Sequence, residues 1–320
     1  MGEKAFARVL VDELVDKIPV DSRHFLSEND IDPDNLDDAD EIWKTFVRYN
    51  VDGGGIKSNI VYKHWIKLPD SSILLNRTKL INEVSELKDL KCYENFSAEC
   101  PVTYKAGSLI NSDSCYGNCD DCPFVSLTNE LSWHRAHYRI AKILLETSKR
   151  LLIENEYGSE NGNLNDVVSG LFSKYEGYPD QSQMATEDLL NLFKDIKGYG
   201  TPPKVIVWML SEMSSPVHNL NHWEMLDYHQ FNPVDTHVGR LMERFGFLEK
   251  NELNYQKIDN KLNDLYPDEP RKLDFALYRL GAEMEQNICG KEPKCGLCRE
   301  TFPKIFEQCP YMLKKPNELV

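Results

Sequence analysis

No stretch of this 320-residue chain is apolar over the roughly 18 residues that a membrane-spanning helix needs, so no span and no membrane partner is expected. Nor does the N-terminal MGEKAFARVLVDELVDKIP have the form of a secretory signal. Acids interrupt its apolar positions, which makes it an amphipathic helix instead. Tandem repeats are lacking. The one biased segment, ENDIDPDNLDDADE at 28–41, holds acid and no base and is expected as a solvated loop or a helix start. Basic residues are scarce, with 37 Lys and Arg against 52 Asp and Glu and a net charge of −15. That shortage argues against a nucleic-acid partner, because phosphates are bound by Lys and Arg that release counterions. The tail from Lys291 to Lys315, by contrast, is mildly basic, which leaves room for a local basic face. The expected compartment is the cytosol, or the nucleus in a eukaryote, and the expected state is a monomer. Thiols stay reduced there, so nine cysteines point to metal or cluster ligation more than to disulfides.

What is present is the composition of a folded protein, 41% apolar and 10% aromatic. After residue 125 almost nothing alternates with period two, and the expected class is mainly α. ELSWHRAHYRIAKILLETSKRLL, from Glu130, reads as one long helix on which Arg135, Arg139 and Lys142 form a stripe, either solvated or facing phosphates. The chain divides on paper into an N-terminal region at 1–90 of open role, a cysteine-rich loop at 91–125, a helical core at 126–286, and a cysteine loop with its tail at 287–320.

Three features carry chemistry. In LFKDIKGYGTPPKVIVWML a helix is expected to end at Ile196, the hairpin 196–201 to turn, and a second helix to start with Thr201 as N-cap and Pro202 in its first turn. Gly198 and Gly200 allow positive φ, and backbone N–H groups at Lys197, Gly198, Tyr199, Gly200 and Thr201 suit an anion such as phosphate. In NICGKEPKCGLCRETFPKIFEQCP, four thiols at Cys289, Cys295, Cys298 and Cys309 are dense enough to wrap a zinc ion or a cubane iron–sulfur cluster. In NPVDTHVGRLMERFGFL, Val238, Leu241, Met242 and Phe245 repeat at helical spacing and Asp235 falls at the helix start. There it either caps the helix or projects a carboxylate towards a substrate.

In this order, and most closely in IKGYG, PVDTHVGRL and YPDEPRKLDFALYRLGAEMEQNICGKEPKCGLC, the features resemble the endonuclease III branch of the helix–hairpin–helix DNA glycosylases, over roughly residues 125–310. The resemblance implies a two-lobed helix–hairpin–helix glycosylase fold with a cluster loop and an extra N-terminal region. It implies a [4Fe–4S] cluster on the four C-terminal cysteines and a damaged or modified base flipped out of DNA and excised. Asp235 would then stabilise positive charge on the sugar and orient water. Lys291 and Lys294, in the cluster loop, are candidate phosphate contacts, and His237 is a structural or backbone-contacting residue.

Two departures matter. Family members that also cleave the strand carry a lysine two residues after the second hairpin glycine, where this chain has Pro202. A monofunctional, water-using enzyme is therefore expected, with Lys204 as the alternative source of lyase chemistry. The connection SEMSSPVHNLNHWEMLDYHQFNP is also long, and its His218, His222, Trp223, His229 and Phe231 either stack on bases or pack inward. A second metal, zinc or iron–sulfur, is expected at Cys100, Cys115, Cys119 and Cys122, with Cys92 as a substitute ligand. The competing function classes are a non-catalytic iron–sulfur nucleic-acid-binding protein and an interaction protein with structural metals.

Overall fold

The computed structural model describes residues 2–18, 21–53, 58–88, 93, 103–105, 108–110, 122–157, 162–196, 198–200, 203–282 and 285–314. The chain folds as two compact units. One combines Met1–Ser22 with Leu210–Val320, and the other is Arg23–Met209. These limits do not follow the sequence-based boundaries at 90, 125 and 286. The described residues are mainly helical, with one pair of short antiparallel strands, Thr103–Lys105 and Ser108–Ile110. Among them no helix is long and apolar enough to cross a membrane.

The helices, in chain order, are α1 (Glu3–Val11), α2 (Ser22–Glu28), α3 (Ala39–Asp52), α4 (Ser58–Trp65), α5 (Arg77–Ser85), α6 (Pro123–Glu130) and α7 (His137–Thr147). They continue with α8 (Leu164–Lys174), α9 (Gln181–Lys194), α10 (Lys204–Ser214), α11 (Thr236–Phe245), α12 (Tyr255–Leu265) and α13 (Pro270–Gly281). The last three are short: α14 (Cys295–Thr301), α15 (Pro303–Gln308) and α16 (Pro310–Lys314).

In the first unit, α1 runs without a break into a π-helical turn at Asp12–Asp16. Its apolar face of Phe6, Ala7, Leu10, Val11 and Leu14 enters one core with Val238, Leu241, Met242 and Phe245 of α11 and with Leu273, Ala276, Leu277 and Leu280 of α13. Phe6 meets Phe245 edge-on at 5.1 Å. The carbonyls that the π-turn leaves over are not orphaned, because buried Arg279 donates to Leu14 O at 2.8 Å and to Ile18 O. The amphipathic N-terminus thus finds its partner more than two hundred residues away.

The long connection before α11 packs inward. His218, Trp223 and Phe231 are all buried. His218 lies in a polar knot, with Nδ1 3.1 Å from Ser22 Oγ and Nε2 accepting from Arg271 Nε at 3.1 Å. Arg271 is itself paired with buried Asp274.

In the second unit, the acidic run does start a helix. The Asp38 carboxylate accepts from Asp40 N and Glu41 N and caps α3, whose Ile42, Trp43, Phe46 and Val47 are wholly buried. The long helix expected from Glu130 is instead divided. α6 stops at Glu130, whose carboxylate is taken by Ser72 Oγ at 2.5 Å and Ile73 N at 3.1 Å. The ring of His134 accepts Ala136 N–H at 3.0 Å and lies 3.0 Å from Val51 O. Hydrogen bonds from other elements hold the turn at 131–136, and a fresh helix begins at His137.

Burial and the neighbouring Arg271 and Arg279 hold the His218 imidazole well below its usual range, with Glu212 the carboxylate on its other side at 3.9 Å. The unfolded chain therefore takes up this proton first. No penalty exists above pH ~6.5, and below it stability falls by up to about 1.4 kcal/mol per pH unit until the folded value is reached. Denaturant titrations of the wild type and His218→Gln between pH 5 and 7.5 should show the wild type losing stability relative to the variant as pH drops.

Candidate functional site

Asp235 is the N-cap of α11, with φ −117° and ψ 178°. Its Oδ1 accepts from His237 N at 2.7 Å and from Val238 N at 2.9 Å. Both alternatives posed by the sequence are therefore compatible. One oxygen secures the helix start, and Oδ2 takes no hydrogen bond from a described residue. The side chain is half-buried. The stripe of α11 is held in the core, so the carboxylate cannot drift with the helix. His237 turns onto α13, its Nδ1 3.0 Å from Gly281 O, to which Arg240 also donates at 3.1 Å. A side chain at Gly281 would press on His237, Arg240 and Leu241 at 3.3–3.4 Å. His237 is thus tied into its own unit.

The far end of α11 holds the cysteine loop. Arg244 donates to Cys289 O at 3.0 Å, to Gly290 O at 2.7 Å and to Lys291 O at 3.0 Å, and its N–H also reaches Cys289 Sγ at 3.2 Å. The loop is further knit to α13 by Cys289 N donating to Leu280 O at 2.8 Å, and it turns at Asn287, which has φ 47°. Cys295 and Cys298 stand one turn apart on α14, and Cys309 lies between α15 and α16. Burial is the main influence on Cys298 and lifts its thiol to about 12, with further upward pressure from Cys289, Cys309 and Cys295. Burial likewise raises Cys289, against the opposing effect of the Arg244 hydrogen bond. Cys309 is raised by burial while the backbone N–H groups of Met312 and Tyr311 donate to it.

Cys289, Cys298 and Cys309 thus lie near enough to the other thiols to feel them, Cys309 is buried and the other three thiols are half-buried, and two of the sulfurs receive N–H donors. This donor set fits thiolates neutralised by a bound cationic centre. Among the described residues no three His, Cys, Asp or Glu side chains are drawn around one point as a single ion would hold them. Lys291, Lys294 and Arg299 are exposed on the same loop.

The hairpin belongs to the second unit. Gly198 has φ +115°, and a Cβ there would meet Ile143 Cγ1 at 2.8 Å, so both backbone and space require glycine. Tyr199 anchors the turn by donating its hydroxyl to Asn50 Oδ1 at 2.7 Å, and burial raises that phenol far above its usual range. Its ring is thereby committed to the protein, which leaves the backbone and exposed Gly200 as the outward parts. Lys197, Thr201 and Pro202 lie outside the described residues. α10 starts at Lys204, later than expected, directly after Pro203, whose carbonyl accepts from Ile206 N and Val207 N. A proline disfavours helix at the residue before it, so a Pro-Pro pair delays the start. Lys204 is exposed at the first helical position.

Cys92, Cys100, Cys115 and Cys119 also lie outside the described residues, so the second metal site has only Cys122, half-buried before α6, among them. Of the arginine stripe, Arg135 sits in the turn before α7, Arg139 is exposed, and Lys142 lies over its own Tyr138 ring at 4.8 Å. Sequence reasoning missed Arg244. Its only local signal was a basic residue in the last turn of a helix, a common pattern that says nothing about a loop 45 residues on.

Asn caps a helix as well as Asp does, whereas Ala does not. Thermal or denaturant unfolding should therefore show Asp235→Asn close to wild type and Asp235→Ala less stable by about 1 kcal/mol.

In comparison with known families, residues 205–283, about a quarter of the chain, match one described as a protein of unknown function, DUF2400. The matched segment contains Asp235 and all of α13 and stops before the four cysteines. Neither a curated protein nor a solved structure matches the chain.

Proposed function

We propose that this chain is a DNA N-glycosylase acting in base excision, with Asp235 as its catalytic carboxylate and water as its nucleophile. The observation that carries this reading is the state of Asp235. One oxygen is spent on the cap of α11 and the other is left without a described partner. A carboxylate fixed in this way needs no rearrangement to face a developing cation.

In the reaction, the C1′–N bond of an extruded nucleotide breaks and the base departs with the electron pair. Positive charge grows on the deoxyribose, as it does in glycoside hydrolysis. Asp235 stabilises that charge and accepts the proton of the water whose oxygen bonds to C1′. The backbone of residues 197–201 takes a phosphate of the same strand, a role supported by the positive φ of Gly198 and by the anchored Tyr199. Cys289, Cys295, Cys298 and Cys309 would hold a [4Fe–4S] cluster, on the loop that Arg244 ties to the end of α11. Lys291 and Lys294, exposed on that loop, are further phosphate contacts. The competing reading, a glycosylase/lyase, assigns the Schiff-base amine to Lys204, which opens α10 with an exposed side chain.

A panel of duplexes with different damaged bases, scored for base release with and without alkali, tests the activity. Wild type should release a base and cut the strand only after alkali, and Asp235→Asn should fold but lose release by at least 100-fold, roughly the scale of removing one electrostatic stabiliser. Borohydride should trap no covalent adduct; an adduct lost in Lys204→Ala would establish the lyase instead. Iron-loaded protein should be brown, and Cys298→Ser should lose the visible absorbance.

A further inference from the structure

Away from Asp235 and the cysteine loop, the second unit carries an aromatic stack at its surface. The imidazole of His64, in α4, lies flat on the indole of Trp133, with centroids 4.4 Å apart and planes within 3°. Both rings are only partly buried. His134 meets Trp133 edge-on at 5.4 Å and is itself buried and bound to Val51 O and Ala136 N. The turn presenting Trp133 is therefore rigid before any ligand arrives.

Exposed cationic side chains lie on the same two segments as the stacked rings. Lys67 is three residues beyond His64, with its N–H donating to His64 O at 3.2 Å, so the two share one side of the chain there. Lys63, Lys67, Arg135 and Arg139 are all exposed. Burial chiefly disfavours protonation of His134, and Arg135 and Arg139 are near enough to add to that effect. Arg139 also links this face to the hairpin, because its carbonyl is 3.5 Å from where a Cβ on Gly198 would stand. Stack, cations and hairpin thus form a contiguous region of one unit.

A face of this kind runs against the chain's net charge of −15. Its chemistry is that of a polyanion with planar groups, in which phosphates meet Lys and Arg and unstacked bases meet aromatic rings. An acidic polypeptide would satisfy the charges and leave the stack without a role.

We propose that His64 and Trp133, flanked by Lys67, Arg135 and Arg139, form a nucleic-acid-binding platform that extends the hairpin's phosphate site onto the N-terminal helices and receives the bases of an unpaired strand. This deepens the glycosylase reading by giving residues outside the helical core a place on the substrate. It needs a nucleic-acid ligand but not base excision.

The test is fluorescence anisotropy of the full chain with a labelled single strand, and with a duplex carrying an unpaired gap, over a series of salt concentrations. His64→Ala/Trp133→Ala should weaken single-strand binding about tenfold with little change in salt dependence, since stacking releases few counterions. Lys67→Ala/Arg139→Ala should flatten the plot of log affinity against log salt by about 1.4 for the single strand. These last two side chains are exposed, so the charge pair keeps the test decisive should the aromatic pair fail to fold, which thermal melts would reveal.

Unchanged affinity and slope in the charge pair would overturn the platform. So would competition by polyglutamate as effective, charge for charge, as competition by the strand. Strand binding that depends on these residues, with no base released from any duplex, would sink the glycosylase and leave the platform standing. Base release without any effect of these variants on binding would do the reverse.

Discussion

Val238, Leu241, Met242 and Phe245 are withdrawn from water on one face of α11, against α1 and α13. Each such side chain contributes about 1.5–3 kcal/mol of hydrophobic stabilisation before entropy is set against it. With its face fixed, the helix cannot roll or slide, and whatever sits at its two ends is fixed too. At the N-terminal end that is Asp235, capping the helix with one oxygen. At the other end it is Arg244, gripping three successive carbonyls of the cysteine loop. The candidate carboxylate therefore stands at one end of a rigid element whose other end grips the loop that carries Cys289.

The polar interior of this unit follows from the same packing. Burying α1 and its π-turn leaves carbonyls without helical partners, and a guanidinium with several donors satisfies two of them at Arg279. Arg271 is similarly occupied by His218 and Asp274. Buried cations with such partners hold their surroundings in register, and removing a partner would leave a desolvated charge. The cysteine loop is the complementary case, in which desolvation first and the neighbouring thiols second push Cys298 up, and Arg244 is the one cationic side chain whose N–H reaches a sulfur among the described residues.

In the second unit the same economy of polar partners places the hairpin. Tyr199 is held by Asn50 and Gly198 lies against α7, so the turn is backed by two helices. The division of the long helix at 131–136 has a structural consequence there, since it turns Trp133 towards His64 and sets Arg139 beside the hairpin.

Features whose signal is local were legible in the residues alone. The helical second half, the stripe of α11, the cap at Asp235, the helix start in the acidic run and the four-thiol loop all depend on spacing within a turn or two, or on side chains a few positions from the backbone they bind. What tertiary structure decided involves partners far apart in the chain. α1 pairs with α11 and α13 across more than two hundred residues, Glu130 is drawn off by Ser72, His134 by Val51, and Arg244 reaches Cys289. A periodic pattern states that a face must be buried but not against what. A hydrogen-bonding side chain does not announce which distant backbone group will claim it, and those choices set where helices break and which cations gather on a surface.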